Sequence, residues 1–215
     1  MPYGYLGTQP NQTVKNTGVL SVTEAAELQS QGKLGGSLEL ITKGTVSSSA
    51  TLNLTTISEG LYDTHHFVYE LARPDTNDRA LTFRMYEDVA GTQTLVTSSN
   101  YYNTNAYKLG TSGGNGVYGL QSDVTVSYNA GNALPYGING YINFYNLGDV
   151  NSESYFTYKT IQMYRTTGNE TFAFGSGILN RAAVHNGLQF AFNVSANIET
   201  MNYKLYGIKK VTWVH

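Results

Sequence analysis

From Gly36 onward the chain carries a hydrophobic period of two, and this alternation constrains its fold more than any other feature. Ser37-Leu38-Glu39-Leu40-Ile41 and Ala50-Thr51-Leu52-Asn53-Leu54-Thr55-Thr56-Ile57 place apolar side chains on one face and polar ones opposite. Ala80–Tyr86, Gly140–Tyr145, Leu188–Phe192 and Tyr203–Ile208 repeat the pattern, and further β-rich runs lie near 64–71, 94–108, 118–128, 154–165 and 171–174. Turn-forming clusters separate them at Ser47–Thr51, Pro74–Asp78, Gly110–Gly116, Asn129–Pro135 and Gly148–Ser152. The spacing predicts about ten to twelve short strands in an all-β, antiparallel sandwich or jelly roll. No helix alternates with the strands, so a parallel sheet is not expected. No fixed repeat marks a propeller or solenoid.

The first 35 residues read differently. Residues 1–20 are polar without a clear period, an extended arm. Ser21-Val22-Thr23-Glu24 forms a capping box, good helix formers follow through Gln29, and Gly32 can close the helix. The expected organisation is an arm with one short helix over about 21–31 within 1–35, and a β domain over 36–215. A helix this short is not stable alone and must dock. Tyr3, Tyr5, Val19, Leu20 and Leu28 are its candidate anchoring residues.

Composition narrows the function classes. There is no cysteine among the 215 residues, which removes disulfides, thiolate metal sites and cysteine nucleophiles. Charged residues make up 13%, about half the usual share. The polar surface must come from Ser, Thr, Asn, Gln, Gly and the 18 tyrosines. A formal net charge of −2 does not supply the basic excess a nucleic-acid partner requires. No apolar run is long enough for a membrane span, and Met1-Pro2-Tyr3-Gly4-Tyr5 has neither the basic nor the apolar part of a signal peptide. The expectation is a protein made and kept in a cytoplasm until something releases it.

Groups able to do chemistry are few. His65 and His66 are adjacent, so on a strand they point to opposite faces and cannot chelate one ion together. His185 and His215 are isolated. The glycines between 110 and 116 lack the Lys-Ser/Thr ending of a phosphate loop and read as a flexible connection between strands. Asp63, Asp75, Asp78, Asp88, Asp123, Asp149 and Glu153 fall at strand ends or turns, where their side chains bond nearby backbone. Glu39, Glu70 and Glu87 lie on strands with no spacing that singles out a hydrolytic pair. No Gly-x-Ser-x-Gly elbow is present. The reading is therefore of no enzyme, no metal and no cofactor. The tyrosines Tyr101, Tyr102, Tyr107, Tyr118, Tyr128, Tyr136 and Tyr141 crowd the middle of the chain. Three roles stay open for them: the core, a subunit interface, or a platform for sugar rings.

Several segments resemble tailed-phage virion proteins, especially those of marine and cyanobacterial phages. They are Asn143-Phe144-Tyr145-Asn146-Leu147-Gly148, Gly175-Ser176-Gly177, Asn186-Gly187-Leu188-Gln189-Phe190, Ser195-Ala196-Asn197-Ile198 and Lys204-Leu205-Tyr206-Gly207-Ile208. The start of the first strand, Gly35–Ile41, and the lead-in Gly18–Glu24 are similar to the same family. Together the likeness covers about 18–208, and the extension 209–215 departs from it. The resemblance implies a jelly-roll-like sandwich and a structural protein on the virion surface: a head decoration or knob, a fibre base, or a tail component. Its implied partners are capsid or tail proteins and other copies of itself, with a trimer as the expected oligomer. The alternative is a carbohydrate- or receptor-binding module of a tail fibre, working through Tyr101, Tyr102, Tyr107, Tyr118 and Tyr136.

Overall fold

A computed structural model describes residues 23, 38–109, 112–134, 136–163 and 170–209. The chain divides into two units, Met1–Glu39 and Leu40–His215. Thr23 is helical, while the rest of the expected helix over 21–31 lies outside the described residues, as does 210–215.

Thirteen strands run through the described residues: β1 Leu38–Ser49, β2 Leu52–Leu54, β3 Tyr62–Pro74, β4 Leu81–Val89, β5 Thr92–Leu95, β6 Tyr101–Leu109, β7 Ser112–Gln121, β8 Val124–Thr125, β9 Ile138–Tyr145, β10 Ser154–Met163, β11 Glu170–Leu179, β12 Gly187–Phe192 and β13 Ile198–Lys209. They form an eight-stranded sheet, β1-β13-β3-β9-β10-β11-β6-β7, and a five-stranded sheet, β2-β12-β4-β5 with β8 also on β4. The pairings β1 with β13, β2 with β12, β3 with β9 and β4 with β5 are nested in sequence. Early strands pair with late ones while the chain crosses repeatedly between sheets, which is the wrapping of a jelly roll. The fold is an all-β antiparallel sandwich of this type. Strands β10, β11, β6 and β7 extend its larger sheet beyond β9.

The alternation that predicts the strands also builds the core. On β10, Phe156, Tyr158, Thr160 and Gln162 are buried while Tyr155, Lys159 and Ile161 are exposed. On β4, Leu81, Phe83 and Met85 point inward. Phe83 stands edge-on to Phe144 and Phe156 of the opposite sheet, with ring centroids 5.1 and 5.0 Å away. Its cross-strand partner Phe190 stacks flat on Phe67 at 4.0 Å. Five phenylalanines thus join the two sheets, each taken from water and held in the geometry aromatic pairs favour.

Five expectations are corrected. Strand β1 runs through Ser49 where a turn from Ser47 is expected, and the run 50–57 pairs only at Leu52–Leu54 because β12 meets it only from Leu188 to Phe190. The run 94–108 is two strands, β5 and β6, which lie in different sheets. They are parted at 96–100, where Asn100 N–H bonds Ser98 O at 2.8 Å. Gly113, Gly114 and Gly116 belong to β7 rather than a loop. Thirteen strands replace the ten to twelve expected.

Replacing Phe83 with Ala removes the ring that touches both sheets. The expected loss is about 3–5 kcal/mol of unfolding free energy, measured by denaturant titration. A loss no larger than that of an exposed substitution would show that the sandwich does not depend on this contact.

Candidate functional site

The inner face of β6 carries Tyr101, Asn103, Asn105 and Tyr107 in alternation. Tyr101 belongs wholly to the core, with its hydroxyl accepting Met85 N–H at 2.8 Å and donating to Val96 O at 3.4 Å. Burial pushes its pKa well above the ordinary tyrosine range. Its assignment to a glycan or interface surface is therefore corrected: adjacent residues on a strand face opposite ways, and Tyr101 faces in. From Asn103 onward the same inner face turns polar, and there the interior opens into a cavity of about 300 Å³.

The cavity is walled by Asn103, Asn105 and Tyr107 of β6, Tyr118 of β7 and Tyr158 of β10. The segment 121–129 closes it, contributing Gln121, Asp123, Thr125, Ser127, Tyr128 and Asn129. That segment is pinned from β10: Thr160 Oγ1 donates to Val126 O at 2.7 Å and Gln162 Nε2 to Tyr128 O at 2.9 Å. Tyr69 Oη bonds Thr160 Oγ1 at 2.7 Å and sets the hydroxyl in place. Tyr128 stacks on Tyr107, centroids 5.1 Å apart.

Glycines make room for these rings. A Cβ on Gly175 would stand 2.6 Å from Tyr158 Oη, and one on Gly114 would stand 2.9 Å from Tyr107 Oη. Gly116 lies in the same way against Tyr118. The glycines of β7 and β11 are thus spaces into which tyrosine rings fold flat, and this accounts for a glycine-rich segment being a strand.

At the cavity wall the buried Tyr158 Oη lies in hydrogen-bond contact with the side chains of Asn105 and Asn103. Tyr158 is only 3% exposed. Its burial raises its pKa, against the opposing pull of the Asn105 and Asn103 amides beside it, so at neutral pH the hydroxyl is an intact donor. Asp123 also lines the cavity and is paired with Arg84 at 3.2 Å.

The remaining expected site residues are dispersed. Tyr102 lies on the outer face of β6 beside Val117 and Ile178. Tyr136 sits half-buried in the connection before β9, with its N–H on Ala133 O. Of the five expected aromatics the cavity gathers Tyr107 and Tyr118. Tyr3, Tyr5, Val19, Leu20 and Leu28 lie outside the described residues. Sequence reasoning missed Tyr158, Asn103 and Asn105, although the spacing Asn103-x-Asn105-x-Tyr107 on a strand is the signal that places them on one face.

The histidines sit in separate surroundings. His65 is buried with Nε2 on Ile57 O at 2.8 Å, whereas His66, half-buried, bonds Asn143 Oδ1 at 2.6 Å. His185 is fully buried, with Nδ1 2.7 Å from Ser154 Oγ. This is a serine–histidine contact, but both side chains are wholly buried, so neither is presented to a substrate. Nearby, Arg181 clamps the buried Glu87 with Nε and Nη2, one edge of its guanidinium on both carboxylate oxygens. Among the described residues no three His, Cys, Asp or Glu side chains gather as a metal site. The acidic side chains serve structure: Asp88 Oδ1 accepts Gly91 N–H, Asp149 Oδ1 accepts Asn151 N–H, and Asp75 holds the backbone and side chain of Asn197.

No family model, no curated protein and no solved structure matches this chain.

Burial, assisted by the positive charge of Arg181, lowers the His185 pKa from 6.5 to about 4. The unfolded chain therefore takes up a proton at His185 below about pH 6.5 while the folded chain stays neutral down to about 4. Stability falls as pH drops through that window, and His185 accounts for on the order of 3 kcal/mol of the fall. Denaturant titrations between pH 8 and 4 should show a shallower fall in His185→Gln than in wild type. Parallel curves would show that His185 is not buried in its neutral form.

Proposed function

We propose that the chain is a structural protein displayed on the surface of a tailed-phage particle, held there by protein–protein contacts with its own copies and neighbouring virion proteins. The observation that carries this reading is the outer face of the eight-stranded sheet. Across β9, β10 and β11, Tyr141, Ile161, Phe172 and Phe174 are exposed by 38, 55, 39 and 50%. Ile161 pairs with Phe172, and Lys159 lies between Tyr141 and Phe174. Phe172 and Phe174 stack at 6.3 Å. Large apolar side chains clustered on a solvent-facing sheet mark a surface that another protein covers. The alternation of β10 and β11 makes the cluster, because the same strands send Phe156, Tyr158 and Ala173 inward.

Low charge and the likeness to virion proteins across 18–208 support the same reading. The segment 1–35, with Tyr3, Tyr5, Val19, Leu20 and Leu28, is the proposed anchor.

Mass photometry of the full chain is expected to show a discrete homo-oligomer, and Phe172→Ser with Phe174→Ser to shift it to monomer without loss of β circular dichroism. A wild-type chain that is monomeric throughout the accessible concentration range would overturn self-assembly. For the anchor, mass spectrometry of purified particles is expected to find no chain lacking residues 1–35. Normal incorporation of the truncated chain would sink that assignment.

A further inference from the structure

The edges of the two sheets are not alike. Those of the smaller sheet are β2 and β5, three and four residues long. The larger sheet ends at β1, which carries Glu39 and Lys43, and at β7. Strand β7 is ten residues long, Ser112–Gln121, and contains no Lys, Arg, Asp, Glu or Pro. Folded proteins guard their sheet edges with short strands, charges, prolines or bulges, because a bare edge offers unpaired N–H and C=O groups to any strand that reaches it. One such device stands at the far end of β7, where Leu120 has a φ of 55° and the pairing with β6 shifts register between Tyr101 and Asn103. Over Ser112–Tyr118 the pairing with β6 runs without a break, and among the described residues no strand lies on the other side. Alternate residues of that stretch therefore direct both backbone groups away from the sheet.

The residues of the stretch indicate what covers it. A second copy of β7, run antiparallel about a twofold axis through Asn115, sets Gly113 opposite Val117, Gly114 opposite Gly116 and Ser112 opposite Tyr118. The half of the strand with large side chains thus meets the half made of glycine and serine. Val117 is 83% exposed, and in this register it lies across the bare backbone of Gly113. Glycine within a strand marks a place where another backbone comes close. With no charge on the strand, self-pairing sets no like charges opposite each other. The edge also continues the exposed outer face, since Asn115 pairs with Ala106 and Ala106 with Phe174 across β7, β6 and β11.

We propose that β7 is a self-pairing edge: in the assembled protein, Ser112–Tyr118 of one copy hydrogen-bonds to the same segment of a second copy, antiparallel and centred on Asn115. The inference rests on the self-assembly proposed above. A single seven-residue pairing is far smaller than a stable interface, so it does not hold two free copies together. Where the outer face has gathered several copies into one closed set, its edges pair together with those of a second set, and the contacts reinforce one another.

Mass photometry and cysteine crosslinking of the full chain test it. Asn115 is exposed, and Asn115→Lys sets two positive charges face to face at the twofold while leaving the pairing with β6 in place. This variant is expected to have half the mass of the wild-type oligomer, with unchanged circular dichroism. Asn115→Cys gives an independent reading that does not depend on how the lysine variant folds. The chain has no cysteine of its own, and opposed residues of antiparallel strands lie about 4.5–5.5 Å apart, within reach of a disulfide. Mild oxidation of the oligomer should convert most of the Asn115→Cys chain to covalent dimer, whereas Thr92→Cys, exposed on the short edge β5, should give little. An oligomer whose mass Asn115→Lys leaves unchanged, or from which Asn115→Cys yields no more dimer than Thr92→Cys, would overturn edge pairing and leave self-assembly standing. A wild-type chain that stays monomeric would overturn both.

Discussion

The contact of Phe83 with Phe144 and Phe156, flanked by the stack of Phe190 on Phe67, is what the rest of the molecule is arranged around. With no cysteine to link them, the two sheets are joined by the apolar side chains of the core. Rings set edge-to-face fix the spacing and relative rotation of the sheets more tightly than flexible aliphatic chains do. The nested pairing of strands brings together residues far apart in sequence, Phe67 with Phe190 and Phe83 with Phe156. The core therefore forms only when the whole ribbon has wrapped, which makes folding a non-local and comparatively slow event.

The jelly roll explains where the core ends. Its eight basic strands are β1, β13, β3, β9 and β2, β12, β4, β5; the larger sheet then continues past β9 through four added strands. The smaller sheet covers them only in part, where β4 meets Phe156 of β10 and Tyr101 of β6. Over the rest of their inner face lies the 121–129 segment, fastened by Thr160 and Gln162. Only Val124–Thr125 of that cover pairs with β4, and polar groups and open volume remain beneath the rest. The cavity is thus a consequence of one sheet outgrowing the other. Chain order follows the same logic: the inner face of β6 is apolar at Tyr101, where β4 covers it, and polar from Asn103 onward, where it does not.

Much of this was legible in the residues, and the failures have physical causes. The alternation in β3, β4, β9, β12 and β13 located those strands, because each has one dry face and one wet one. The rule that separates His65 from His66 applies equally to Tyr101 and Tyr102; applied there, it would have sent one tyrosine to the core and the other to the surface. The glycines of 113–116 misled because glycine signals a turn when read alone. Its other meaning, room for a ring on a neighbouring strand, appears only once Tyr107 is known to pair with Gly114. The cavity escaped notice for a similar reason. Tyr158 and Asn105 are more than fifty positions apart in sequence and become neighbours only through β11, where Gly175 pairs with both.

Gly175 also shows how one strand serves two surfaces. Facing inward, it leaves space for Tyr158 at the cavity wall; its neighbour Phe174 faces outward into the exposed aromatic cluster. A strand's period of two makes this separation automatic, so the inner and outer faces of β10 and β11 can be altered independently. A Ser at Phe174 changes a solvent-facing side chain and leaves the backbone pairing with β10 and β6 intact. A side chain at Gly175 collides at once with Tyr158 Oη and with the Thr104 carbonyl, so the inner face tolerates no such change. The two faces are therefore separable in one molecule, because no residue of β10 or β11 has to serve both.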